Sequence, residues 1–332
     1  MNITRFYSKG SALHEMLLDR LRFGGFPEAT DIPMAVDLEV TKYGQVHSNV
    51  FFSSILFLAY ALNTRPFDLA VNTRAVQVLT EKGKAAGVKA VTSDNKSCII
   101  KAKMVILSAS TFETPRILLN SNIPGEAIGR YLVNHPVVVA HASVKRDQFP
   151  EVLGIATLLV PSSVDRNYQL LAFTDFWSHY EEKPLRKEVN FELHGYGVVE
   201  PRVDNYISLD PRRRDEYGVP MLNVQFSYSH KDQDLIRKIY DSLLAFSSTM
   251  MLSLDALPQL FAPGRDNHES GTYRMGDDPS TSATNRYGQV HGITGLYVAD
   301  NSVLNLTSPA NPTLTTVALA IRTADHIIEQ MT

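Results

Sequence analysis

Two short stretches hold the side chains best suited to chemistry. HESGTYRMG, His268 to Gly276, carries one histidine, and SPANPTLTTVALAIRTADHI, Ser308 to Ile327, places Asn311 ahead of a helix-forming run. An imidazole titrates near neutrality and can take up a proton. A carboxamide can fix an oxygen and stabilise developing negative charge without competing for that proton. Taken singly, His268 in the turn RDNHESG reads as a surface histidine and Asn311-Pro312 as an ordinary helix start. Their occurrence together, in a fixed order with other motifs, is what raises them above that.

The elements that must position this pair can be read from hydrophobic period and turn chemistry. A short helix is expected around Ser11 to Leu21. VFFSSILFLAYAL, Val50 to Leu62, is too short and too serine-interrupted to cross a membrane and reads as a buried helix. Leu69 to Leu79 and Ala86 to Thr92 flank a Lys82-Gly83-Lys84 turn, the pattern of a hairpin. MVILSA, Met104 to Ala109, reads as a strand buried on both faces, running into a helix that Ser110 or Thr111 can cap. Strand, small-residue turn and helix is nucleotide-sheet geometry, although any α/β protein contains such units. From about 137 to 260, runs such as VVVAHASV, YQLLAF, VNFELHGYGVV and LNVQFSYS imply an antiparallel layer, with a helix over Asp232 to Leu252 beside it. GLYVAD, Gly295 to Asp300, is another buried strand, and Thr313 to Gln330 a terminal helix.

Composition narrows the function classes. Of 332 residues 44% are hydrophobic and 20% charged, which places the chain with globular proteins, and the formal charge of -3 offers no basic excess for nucleic acid. A single cysteine, Cys98, excludes an intramolecular disulfide and fits a reducing compartment, so a cytoplasmic location is expected. HExxH, cysteine clusters, GxSxG and GxxxxGK[ST] are all missing, so no metal site, acyl-transfer nucleophile or nucleotide triphosphatase is expected. HGYGVVE, His194 to Glu200, lacks the third glycine and the strand-to-helix setting of a dinucleotide loop. His135 in NHP reads as a structural loop residue, and His291 in QVHGITG as solvated.

HESGTYRMG, GLYVADNS and ANPTLT, in that order and at close spacing, resemble the C-terminal signature of the glucose-methanol-choline (GMC) oxidoreductases. ILSASTFETPRILLNS, Ile106 to Ser121, resembles the second signature of that family, and IGRYLVNHP, Ile128 to Pro136, its following loop. Within the family the motifs look closest to the bacterial sugar and gluconate dehydrogenase branch. The resemblance spans about residues 40 to 330. It implies FAD as cofactor, His268 as catalytic base and Asn311 as its partner. It also implies cofactor contacts at Val76, Ala109, Ser110, Asp300, Asn301, Pro312 and Thr313. The implied fold is mixed α/β and α+β, with a partial FAD-binding, Rossmann-like domain over 1–136. An antiparallel-sheet substrate domain follows over 137–262, and 263–332 returns to the FAD domain with the catalytic pair.

One part of the family pattern is missing. Relatives begin with a strand, a GxGxxG turn and a helix that hold the flavin pyrophosphate, and nothing between Met1 and about Tyr43 matches it. A truncation, a partner chain that supplies the FAD-binding loop, or a loss of redox activity each accounts for this. The expectation is oxidation of an alcohol on a sugar or sugar-like polyol, with a cofactor-free binding or assembly subunit as the competing reading. An unpaired strand edge and an exposed apolar patch should accompany the missing layer.

Overall fold

Leu13, Leu17, Leu18 and Leu21 recur at the spacing of one helix face, and all four are buried in α1 (Ala12–Phe23). Ser11 caps this helix, its side chain accepting from His14 N at 3.3 Å, and Gly24 ends it by donating to Arg20 O at 2.9 Å. The computed structural model describes residues 3–4, 8, 10–36, 52–65, 67–149, 155–174, 187–265, 267–305 and 308–332. In chain order the strands are β1 (Ile3–Thr4), β2 (Thr30–Asp31), β3 (Met34–Ala35), β4 (Thr73–Glu81), β5 (Lys84–Thr92), β6 (Ser97–Lys101), β7 (Val105–Leu107) and β8 (Val137–Lys145). There follow β9 (Thr157–Val160), β10 (Tyr168–Thr174), β11 (Glu188–Gly197), β12 (Tyr206–Arg214), β13 (Pro220–Gln225), β14 (Ser253–Leu254), β15 (Gln259–Leu260) and β16 (Leu296–Val298). The other helices are α2 (Ile55–Thr64), α3 (Ser110–Asn120), α4 (His230–Met250) and α5 (Thr313–Met331).

The chain divides into two compact units. Met1–Leu69, Pro136–Gly197 and Asp234–Phe261 form the first, and Ala70–His135, Val198–Gln233 and Ala262–Thr332 the second. Met1–Leu69 falls in the same unit as the antiparallel strands of Pro136–Gly197.

In the first unit the strand order is β14-β8-β11-β10-β9-β2, with β15 also on β8, and all these pairings are antiparallel. Alternation sends Val138, Ala140, Ala142, Val144, Phe191 and Leu193 into one core with the leucines of α1 and Ile239, Leu243 and Phe246 of α4. Burying each such leucine stabilises the fold by roughly 1.5–3 kcal/mol. Gly195 is required here, because a Cβ on it would lie 2.2 Å from Ile239 Cγ2. The glycines of HGYGVVE thus serve helix-on-sheet packing, within β11.

In the second unit β4, β5 and β6 form an antiparallel meander. Lys82 and Gly83 both have positive φ, +50° and +74°, as a tight two-residue hairpin turn demands. β12 and β13 make a separate hairpin, so LNVQFSYS contributes to that and not to the larger sheet expected from sequence. β7 and β16 pair in parallel, and β7 leads directly into α3.

Two burial expectations are corrected. No residue of α2 is buried, with Ile55, Leu56, Phe57 and Tyr60 all exposed, because no described element packs on this apolar helix. β7 is buried on one face only. Val105 and Leu107 enter the core while Ile106, pointing to the opposite face, is half exposed.

Candidate active site

The parallel strands β7 and β16 end side by side, and their extensions are bonded together. Ala299 N donates to Leu107 O at 2.8 Å and Ser108 Oγ to Ala299 O at 3.0 Å. Asp300 follows immediately and gathers the surrounding chain. One carboxylate oxygen accepts from Ser110 N (3.0 Å) and Thr114 Oγ1 (2.5 Å), the other from Ser302 N (2.8 Å) and Ser302 Oγ. A carboxylate at a helix N-terminus complements both the unpaired amides and the dipole. The cap of α3 is therefore Asp300, not Ser110 or Thr111 as sequence suggested. Ser110 instead takes a strained positive φ of +76°, held there by Asp300, and Thr111 Oγ1 donates to Glu269 O at 2.6 Å.

That last bond docks the histidine-bearing loop. Thr272 Oγ1 donates to Thr111 O at 2.6 Å, Tyr273 N to Ser302 O at 2.9 Å, and Met275 N to Val303 O at 2.9 Å. Val133 and Ser270 exchange backbone bonds at 3.0 Å in each direction. Gly271, at φ +88°, lies so close to Tyr131 that a Cβ would be 2.4 Å from its carbonyl oxygen. Tyr273 is fully buried, and burial pushes its phenol far up, so the hydroxyl stays neutral.

The loop delivers His268, itself buried, to Asn311. Asn311 Nδ2 lies 3.2 Å from His268 Nε2, and with the amide so oriented its N–H points to that ring nitrogen. Asn311 is exposed, and Pro312 follows as the N-cap of α5 without a side-chain cap. The first intrahelical bond of α5 runs from Thr316 N to Pro312 O at 2.9 Å, so the amides of Thr313, Leu314 and Thr315 precede it at the open end of the helix. Asn301 Oδ1 accepts from Thr316 Oγ1 and fixes this end in place.

The structure thus brings together His268 and Asn311, with Pro312 and Thr313 beside them, and separately Ala109, Ser110 and Asp300. Val76 stands apart as the bulged residue of β4. Its side chain is buried with Val91 and Val219, and its carbonyl accepts from Asn120 Nδ2 at 2.8 Å. His291 is half-buried, its Nε2 lying 3.0 Å from Ser282 Oγ. Sequence reasoning missed Thr111 and Thr272 as the bonds that hold the loop, and Thr114 as a donor to Asp300. His135, read from sequence as loop structure, is buried with its ring against that of His268. Among the described residues no His/Cys/Asp/Glu group could hold a metal, and no helix is long and apolar enough to cross a membrane.

A mixed α/β chain that presents a His–Asn pair beside an open helix N-terminus defines a class that comparison makes specific. Two family models described as GMC oxidoreductase match residues 52–137 and 201–320, and the chain belongs to that family. It is 27% identical to the C-glycoside 3-oxidase of Arthrobacter globiformis, over 80% of this chain and 54% of that protein. It is 28% identical to the 2-methyl-1,2-propanediol dehydrogenase of Mycolicibacterium austroafricanum, over 78% of this chain and 54% of that protein. The chain spans about half the length of these relatives. Its fold is similar to that of pyridoxine 4-oxidase from Mesorbium loti, with a TM-score of 0.69 at 14% identity over 98% of this chain and 71% of that one.

Proposed function

We propose that this chain carries the substrate-oxidising part of an FAD-dependent enzyme that acts on a hydroxyl of a sugar or sugar-like polyol, with His268 as base. The observation that carries the reading is the 3.2 Å contact between Asn311 Nδ2 and His268 Nε2. It leaves Nε2 as an unprotonated acceptor next to a side chain that can only donate through the same atom. A substrate hydroxyl entering between them takes the Asn311 N–H on its oxygen and gives its proton to Nε2. The named activities of the two relatives, on a C-glycoside and on a diol, support a polyol-like substrate.

The residues present fit the ring end of a flavin. Asn311 lies at the open end of α5, where unpaired amides favour an electron-rich partner. When bound, the flavin supplies the acceptor for the two electrons and the carbon-bound hydrogen. Pro312 and Thr313 would lie against its ring. Ala109 and Ser110, on the turn that Asp300 organises, would lie along its chain, and the Val76 bulge would border its adenine. The antiparallel strands of 137–262 are proposed to serve the substrate.

The pyrophosphate-binding strand, turn and helix are proposed to come from sequence outside these 332 residues, on the same or a partner chain. Support comes from the second unit, where β7 has one unpaired edge among the described residues and Ile106 is half exposed. On α5, Leu314, Ile321 and Ile328 recur every seven residues, each more than half exposed. A cofactor-free binding subunit is the second reading. It draws on Asp300 and Asn301, whose side-chain oxygens are already taken by protein donors.

The deciding experiment is rapid-reaction reduction of flavin by substrate in a loaded complex. His268→Ala is expected to slow it on the order of a hundredfold or more. Unchanged reductive kinetics would remove His268 as the base.

A further inference from the structure

His135 is a buried titratable residue that the proposed reaction does not use. Its side chain is 1% exposed, and its ring meets that of His268 edge to face, with centroids 5.3 Å apart and planes at 83°. The backbone holds this meeting from both sides. Val133 and Ser270, each two residues from one of the rings, exchange hydrogen bonds at 3.0 Å, and Asn134 Oδ1 accepts from Gly264 N at 3.1 Å. Val133 in turn packs with Val199 and Tyr228.

The χ2 torsion of an imidazole is broad and roughly two-fold, so the packing around the ring contributes to fixing its plane. A flip about χ2 would present a C–H where Asn311 now meets Nε2. A T-shaped ring pair at this separation has a preferred geometry, and a flip of either ring must disturb it. We propose that His135 is a positioning residue for His268, holding its plane so that Nε2 faces Asn311. The catalytic consequence rests on His268 being the base; the orientation itself is a property of this chain.

Histidine-selective 13C,15N labelling of the whole chain tests the orientation without flavin, through two-bond 1H–15N correlations that report each imidazole tautomer. The wild-type His268 signal, identified by its loss in His268→Ala, is expected as a single tautomer with unprotonated Nε2. His135→Ala is expected to convert it to an averaged mixture, and His135→Phe, which keeps a ring edge, to retain the single form. In a flavin-loaded complex His135→Ala should lower the rate of flavin reduction about tenfold with substrate KM changed by less than about twofold. His135→Phe should restore that rate to within about threefold of wild type. A wild-type His268 in mixed tautomers overturns the proposal, and so does a folded His135→Ala variant with an unchanged His268 signature. Should the alanine variant not fold, the wild-type and phenylalanine spectra decide the matter. If His268→Ala leaves flavin reduction unchanged while the tautomer pattern holds, the base assignment fails and the positioning of His268 by His135 stands.

Discussion

Gly271 shows how tightly single residues constrain this site. It lies three residues after His268 and two before buried Tyr273, in a loop that must pass against the Tyr131 carbonyl. Both its positive φ and the missing space exclude a side chain. Gly271→Ala is therefore expected to destabilise the fold by about 2–3 kcal/mol, read as a lowered midpoint in urea unfolding. An unchanged midpoint would mean that the loop relaxes away from Tyr131, and the His268 geometry with it. The histidine and the asparagine were legible as a pair because their motifs stand in family order. That the His268 ring meets the Asn311 amide through Nε2 was not legible, since folding alone brings the two within 3.2 Å.

At the scale of elements, α3 is anchored at both ends by groups far away in sequence. Asp300 caps its start, while Arg116 in its body donates to Pro220 O at 2.9 Å and pairs with Asp215 Oδ2 at 2.7 Å, which fixes the β12–β13 hairpin against it. Burial opposes ionisation of Asp215, but the amides of Val219 and Tyr217 and the Arg116 guanidinium outweigh it and hold the carboxyl below its ordinary range. A carboxyl with a depressed folded-state pKa stabilises fully above its unfolded pKa, near 3.9. That contribution is lost as pH falls through the folded value. Urea unfolding of wild type should therefore weaken between about pH 5 and pH 2, and Asp215→Asn should flatten that acid limb. At pH 7 the same variant is expected to cost about 3 kcal/mol, because Arg116 is left buried without its main partner. An acid limb identical in both proteins would show that the pair does not control it. Hairpin, strand and helix identities here were readable from period and turn residues. The capping group was not, because Ser110 and Thr111 satisfy local rules while Asp300 lies 190 residues away.

For the whole molecule the central expectation concerns cofactor uptake. The open edge of β7 and the apolar row on α5 belong to the unit that carries the His–Asn pair, and both are surfaces that a strand and helix would cover. The chain alone is expected to purify with well under stoichiometric flavin absorbance, and to reach stoichiometry with a segment that supplies a strand, a glycine-rich turn and a helix. Stoichiometric flavin on the chain alone would overturn the need for such a segment. Local pattern in the sequence determined the kinds of element, the Lys82-Gly83 turn, the terminal helix and the motif residues, because period and turn chemistry act within a few neighbours. Only the tertiary structure decided that α2 lies exposed, that β7 is covered on one face, that LNVQFSYS pairs with β12, that Asp300 bonds the start of α3, and that the His135 ring meets that of His268. Burial and capping depend on which distant groups arrive, and a run of apolar residues reads the same whether or not anything packs upon it.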